Sequence, residues 1–114
     1  MCTGEVEALE KEKLEALAAG ERDMDSMIVL YAPWCQFCQG MEAAYAEFAK
    51  AMAGENLRVA KYQADVDKEY AMTLGLETYP TIIHMPKGKD GFVKYESDVR
   101  TSAAWSEWLA SVAA

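Results

Sequence analysis

The apolar positions of the chain follow two rhythms. Met27-Ile28-Val29-Leu30-Tyr31 is a short continuous run, which predicts a strand buried on both faces. Ala32-Pro33-Trp34 breaks it. Over residues 36–52 the rhythm turns helical: Met41, Tyr45, Phe48 and Met52 recur at spacings of four, three and four and share one face. Gly54 and Asn56 supply the stop. Residues 57–64, 81–85 and 92–95 predict three more strands. Before the first of those gaps closes, Asp65 or Asp67 can cap a short helix over residues 68–74, ended by Gly75. Residues 86–91 predict a turn. Thr101 or Ser102 caps a last helix with Trp105, Trp108, Leu109 and Val112 as its apolar stripe. At the other end, residues 4–19 are rich in Glu, Ala, Leu and Lys, and propensity predicts a helix that Gly20 ends. Residues 21–26 are charged and predict a loop. Alternation of this kind predicts an α/β fold: a central mixed sheet, partly parallel, with helices on both faces.

Length and composition narrow the picture. The 114 residues suit a single domain, and 52% apolar content is enough for a core. Eleven basic and nineteen acidic residues leave a formal net charge of −8. That argues against nucleic acid, because phosphates repel an acidic surface. The longest apolar stretch, residues 27–34, falls well short of the roughly 18 residues a membrane span needs. Residues 1–26 lack the apolar core of a secretion signal, and the final Ser111-Val112-Ala113-Ala114 is no retention address. Three cysteines cannot build a disulfide framework, since one is always left over.

The chemistry gathers at Trp34-Cys35-Gln36-Phe37-Cys38, between the buried strand and the helix that follows. Unpaired backbone N–H groups at a helix start stabilise an anion, so a thiolate is favoured at Cys35. Cys38, one turn further in, is placed to attack a mixed disulfide formed at Cys35. A zinc site would need about four ligands. No second Cys-x-x-Cys exists, and nothing brings Cys2 and His84 to this pair, so no metal is expected. Tyr79-Pro80-Thr81 precedes a strand. Pro80 reads either as a plain strand-start proline or as a cis-proline beside the dithiol, presenting backbone to a substrate strand.

Ala32-Pro33-Trp34-Cys35-Gln36-Phe37-Cys38 with Tyr79-Pro80-Thr81 downstream resembles the thioredoxin superfamily over residues 5–113. Gln36-Phe37, Gln39-Gly40-Met41-Glu42-Ala43 and Tyr45 narrow the resemblance to the C-terminal domain of plant-type adenylylsulfate reductases. Val59-Ala60-Lys61, Met85-Pro86-Lys87, Lys94-Tyr95, Ser97 and Arg100 point the same way. The resemblance implies a glutaredoxin-like domain that takes electrons from glutathione and passes them to a reductase domain making sulfite in plastids. It implies Cys35 as nucleophile, Cys38 as resolving thiol and Pro80 as cis-proline, with Tyr79, Gln36 and Phe37 against the substrate. No tightly bound cofactor is implied. The implied partners are the reductase domain or another disulfide-bearing protein, and glutathione; the chain itself is expected to be a monomer. The expected place is the plastid stroma, with cytoplasm as the alternative and the endoplasmic reticulum less favoured.

The departures are equally informative. Thioredoxins and disulfide isomerases bury an acid six positions before the first cysteine, where it relays the proton of the buried thiol. Val29 stands there, and Lys61 matches that acid's usual lysine neighbour. Ala43 replaces a helix-kinking proline. Superfamily members also begin with a short strand, so Val6 and Ala8 could form one ahead of a helix over residues 11–19. Two other readings stay open: a stand-alone thioredoxin or disulfide isomerase, and a redox-inert binding module of the same fold.

Some residues carry a weaker signal. Arg100 either swings towards Cys38 and lowers its pKa or is a solvated loop charge. Trp34 either shields the Cys35 thiolate or only packs. His84 reads first as a core or edge histidine and second as a proton shuttle. Cys2 reads as a spare thiol, with residues 1–4 expected to be disordered.

Overall fold

The computed structural model describes residues 6–88 and 91–113. The predictions for Cys2 and for the first four residues lie outside that range. The elements run β1 (Glu7–Ala8), α1 (Lys11–Ala18), β2 (Asp25–Tyr31), α2 (Gln36–Ala51) and β3 (Leu57–Gln63). A 3-10 turn (Ala64–Asp67), α3 (Lys68–Met72), β4 (Thr81–Met85), β5 (Val93–Lys94) and α4 (Ser102–Ala113) follow. The five strands form one sheet in the order β1-β3-β2-β4-β5. β1, β3 and β2 run parallel, β4 pairs antiparallel with β2, and β5 pairs antiparallel with β4. Among the described residues, no helix is long and apolar enough to cross a membrane.

The continuous apolar run of β2 makes sense in the middle of this sheet, because alternate side chains enter two separate cores. Ile28 and Leu30 join Leu14 and Leu17 of α1, Ala71 of α3, and Tyr62 and Ile83. Met27 and Val29 join Met41, Tyr45 and Phe48 of α2 and Trp105 of α4. The Tyr45 hydroxyl lies 2.7 Å from the Ala60 carbonyl and 3.3 Å from that of Met27, so α2 is tied to β3 and β2 by a buried polar contact.

Two expectations from local propensity fail at the N-terminal end. Helix does not extend through residues 4–19: Glu7 and Ala8 pair with Ala60 and Lys61 of β3, and α1 starts only at Lys11. Val6 and Leu9 are buried by that arrangement, and this burial outweighs a helix preference of a few tenths of a kcal/mol per residue. The segment 21–26 is not simply a charged loop. Arg22 is buried, donating from Nε to the Leu17 carbonyl (2.7 Å) and from Nη1 to the Pro86 carbonyl (2.8 Å). It thereby satisfies the open end of α1, after Gly20 has turned the chain with a φ of +101°.

At the far end, Thr101 Oγ1 accepts a hydrogen bond from Ala104 N (3.1 Å), capping α4. Thr101→Ala should destabilise the fold by about 1 kcal/mol. Urea denaturation checks this, and Thr101→Ser should recover most of the loss.

Candidate active site

Strand β2 delivers the chain to Tyr31 in the middle of the sheet, and α2 begins five residues later. Cys35 is the N-cap of α2, with extended backbone (φ −80°, ψ 119°). Its sulfur accepts the Cys38 N–H at 3.3 Å, so one open donor of the helix start points at Cys35 Sγ. Cys35 N donates to the Ala32 carbonyl at 3.1 Å and Gln39 Nε2 to the Pro33 carbonyl at 2.7 Å, which fixes the turn. Both cysteines are free thiols and both are buried, Cys38 the deeper. Burial, reinforced by its hydrogen bond with Cys35, pushes the Cys38 thiol up to about 12. The Ala32 backbone and, more weakly, the positive charge of Arg100 act in the opposite direction.

The second wall comes from 44 residues further along. The Tyr79–Pro80 bond is cis, and the Cys35 thiol donates to the Tyr79 carbonyl at 3.5 Å. Thr81 Oγ1 donates to the Thr78 carbonyl at 2.6 Å, which steadies this loop. A cleft of about 710 Å³ opens beside it, lined among others by Thr78, Pro80, Thr81, Tyr95 and Arg100.

Trp34 stands beside the cis-proline loop. It is 64% exposed, its ring meets Tyr79 edge-on at 5.2 Å, and its Nε1 donates to Asp65 at 3.0 Å. The partly buried rings packed against the cluster of Ala32, Cys35 and Cys38 belong to Tyr31 and Tyr79. Gln36 is exposed at the helix start, and Phe37 is 65% exposed. The Arg100 guanidinium lies over the Phe37 ring, 5.2 Å from its centre. Arg100 therefore stands at the rim of the dithiol, held by an aromatic face.

Position 29 carries no acid. Val29 is fully buried in the apolar core, in register with Lys61 on β3, and the Lys61 ammonium lies 5.8 Å from the centre of the Tyr31 ring. Without a proline at Ala43, α2 runs from Gln36 to Ala51. His84 lies elsewhere. It pairs with Met27 near the opposite end of β2 from the dithiol and meets the Trp108 ring at 6.1 Å, buried in the core. Its place supports the core reading and removes the proton-shuttle one.

Sequence reasoning overlooked Tyr31 and Asp65. Tyr31 carried a signal: it sits two residues beyond Val29, hence on the same face of β2, and next to the turn that bears Cys35. Asp65 carried none, because only the folded chain brings it to Trp34.

Two thiols at a strand-to-helix junction, opposite a cis-proline loop on a five-stranded mixed sheet, define the class of thioredoxin-fold thiol oxidoreductases. The chain belongs to the thioredoxin family, whose description, "Thioredoxin", matches residues 5–111. It is 46% identical over 85 residues to "5'-adenylylsulfate reductase 1, chloroplastic" of Arabidopsis thaliana, covering 73% of this chain and 18% of that protein. It is 35% identical over 97 residues to "Protein disulfide isomerase-like 2-1" of Oryza sativa subsp. japonica, covering 82% of this chain and 25% of that protein. The first thioredoxin domain of mouse protein disulfide-isomerase A4 shares the fold, with a TM-score of 0.80 at 23% identity over 100% of this chain and 79% of that one. The chain spans less than a fifth of the length of the adenylylsulfate reductases it matches.

Proposed function

We propose that this chain is the electron-delivering domain of an adenylylsulfate reductase, serving sulfate assimilation in a plastid with glutathione as its electron donor. The observation that carries the reading is its 46% identity to a chloroplastic adenylylsulfate reductase, against 35% to a disulfide isomerase. Val29 and Ala43 support it, since both depart from the thioredoxin and isomerase pattern.

The chemistry proceeds by two exchanges. The Cys35 thiolate attacks a disulfide sulfur of the partner, forming a mixed disulfide and releasing one partner thiolate. Cys38 then attacks Cys35 Sγ, closing the Cys35–Cys38 disulfide and releasing the second partner sulfur. Two glutathione molecules restore the dithiol and leave as glutathione disulfide. The cleft lined by Thr78, Pro80, Thr81 and Arg100 gives the partner strand or glutathione room beside the cis-proline loop, and the exposed Phe37 and Trp34 offer apolar surface on the dithiol side.

The test compares electron donors. With a small disulfide as acceptor, glutathione recycled by glutathione reductase should support turnover at least about tenfold faster than thioredoxin reductase with its cofactor. Added to a separately expressed adenylylsulfate reductase domain, the chain should restore glutathione-dependent sulfite formation. Preference for thioredoxin reductase, with no sulfite formed, would move the assignment to a stand-alone thioredoxin or isomerase.

A further inference from the structure

Cys38 has to lose a proton before it can resolve a mixed disulfide, and among the described residues no buried carboxylate lies in the core. Burial, reinforced by the hydrogen bond with Cys35, holds its thiol well above the ordinary range and so in the protonated form at neutral pH. Val29 occupies the place on the inner face of β2 from which a carboxylate could take that proton. The groups on that face, one step closer to the thiols, are different.

Tyr31 follows Val29 on the same face of β2, packs against the small cluster of Ala32, Cys35 and Cys38, and interacts electrostatically with Cys38. Lys61, in register with Val29, leans along the sheet onto the Tyr31 ring. Glu42 lies four residues after Cys38 on α2, so the two side chains are neighbours on one helix face, roughly 5–6 Å apart at Cβ. Glu42 itself is exposed to solvent. Tyr31 and Lys61 also line a cleft of about 290 Å³, with Tyr62 and Gln63 from β3, which is roomy enough for water.

We propose that Tyr31, Glu42 and Lys61 form the proton exit of Cys38: the Tyr31 hydroxyl links the thiol to the Glu42 carboxylate, and the Lys61 ammonium favours the anion left behind. In the resolving step, Cys38 gives its proton to the Tyr31 oxygen as Tyr31 passes its own to Glu42. The freed electron pair on Cys38 forms the bond to Cys35 Sγ. The bond from Cys35 to the partner sulfur breaks, the partner leaves as a thiolate, and Glu42 returns its proton to solvent. Electrostatics are consistent with this proximity. Burial first, then the charges of Asp65, Glu42 and Cys38, hold the Tyr31 hydroxyl in its protonated form, as a relay requires. The other charged or titratable groups facing Cys38 are Cys35 on its own helix, Tyr79 on the cis-proline loop and Arg100 ahead of α4.

This mechanism rests on the reading that Cys38 resolves a mixed disulfide at Cys35, and one experiment separates the two claims. In a Cys2→Ser background, stopped-flow reaction with 5,5'-dithiobis(2-nitrobenzoate) releases one thionitrobenzoate when Cys35 attacks and a second when Cys38 does. If Cys38→Ser keeps the second release, the underlying reading fails. If Cys38→Ser removes it, the relay is tested by Glu42→Gln and Tyr31→Phe. Each should slow the second release by about 10²-fold at pH 7 while leaving the first at its native rate. In both variants the second rate should climb about tenfold per pH unit, as expected when hydroxide alone removes the proton. Glu42→Asp should keep most of the native rate. A native second rate and native pH profile in either Glu42→Gln or Tyr31→Phe overturns the relay.

Discussion

Cys35→Ser is expected to bring disulfide reduction down to the uncatalysed background, a loss of at least about a thousandfold, or some 4 kcal/mol at the transition state. The reason is geometric. Cys35 sits at the cap of α2, where the Cys38 N–H points at its sulfur, and it faces the backbone of Tyr79. The thiol that survives in the variant is the deeper one, and burial keeps it protonated at neutral pH. Raising the pH moderately would restore little, because burial, the largest cause of the raised Cys38 thiol, is unchanged in the variant. Cys38→Ser makes the contrast. It should still form the mixed disulfide at Cys35, and glutathione from solution can then take over the resolving step. Steady-state reduction of a small disulfide, with mass spectrometry for the trapped adduct, reads both variants. Native activity in Cys35→Ser would remove the dithiol from the mechanism and favour a binding module.

The largest expected effect on stability is at Trp105. Its ring is fully buried on α4 and meets Tyr45 at 5.4 Å and Phe48 at 5.7 Å, both edge-on. These contacts hold α4 against α2, the helix that carries the cysteines. Trp105→Ala should cost about 3–5 kcal/mol, from lost burial and the cavity left behind. That is a large part of the roughly 5–15 kcal/mol that holds a typical domain together. Trp105→Phe keeps an aromatic ring in the cluster and should cost clearly less. Urea denaturation followed by far-ultraviolet circular dichroism measures both. A loss below about 1 kcal/mol for the alanine variant would mean that α4 contributes little to the core.

The two cores behave differently when traced back to the sequence. The α2 side is legible: Met41, Tyr45 and Phe48 repeat at helical spacing, and Trp105 and Leu109 mark the facing stripe of α4. The α1 side is less so. The same Glu- and Ala-rich stretch holds both β1 and α1, and nothing local separates a two-residue strand from helix. What separates them is β3, whose edge pairs with Glu7 and Ala8 although it lies more than fifty residues away. Arg22 is misread for a related reason. A charged residue after a helix is usually solvated, and only the approach of Pro86 to the end of α1 turns it inward.

The site divides in the same way. Cys35 and Cys38 at the junction of an apolar run and an amphipathic helix are set by the sequence alone, because a helix start and a three-residue spacing are matters of local backbone geometry. So are the strand-bearing runs and the glycine stops, while the choice of Thr101 over Ser102 as the cap of α4 came from the folded chain. The tertiary structure decided the rest: the depth of Cys38, Tyr79 and Pro80 against Cys35, Trp34 turned out to Asp65, Arg100 over Phe37, and Lys61 over Tyr31. Each of these joins residues far apart in the chain. Their proximity exists only once the sheet has formed, and so does the burial that raises the Cys38 thiol.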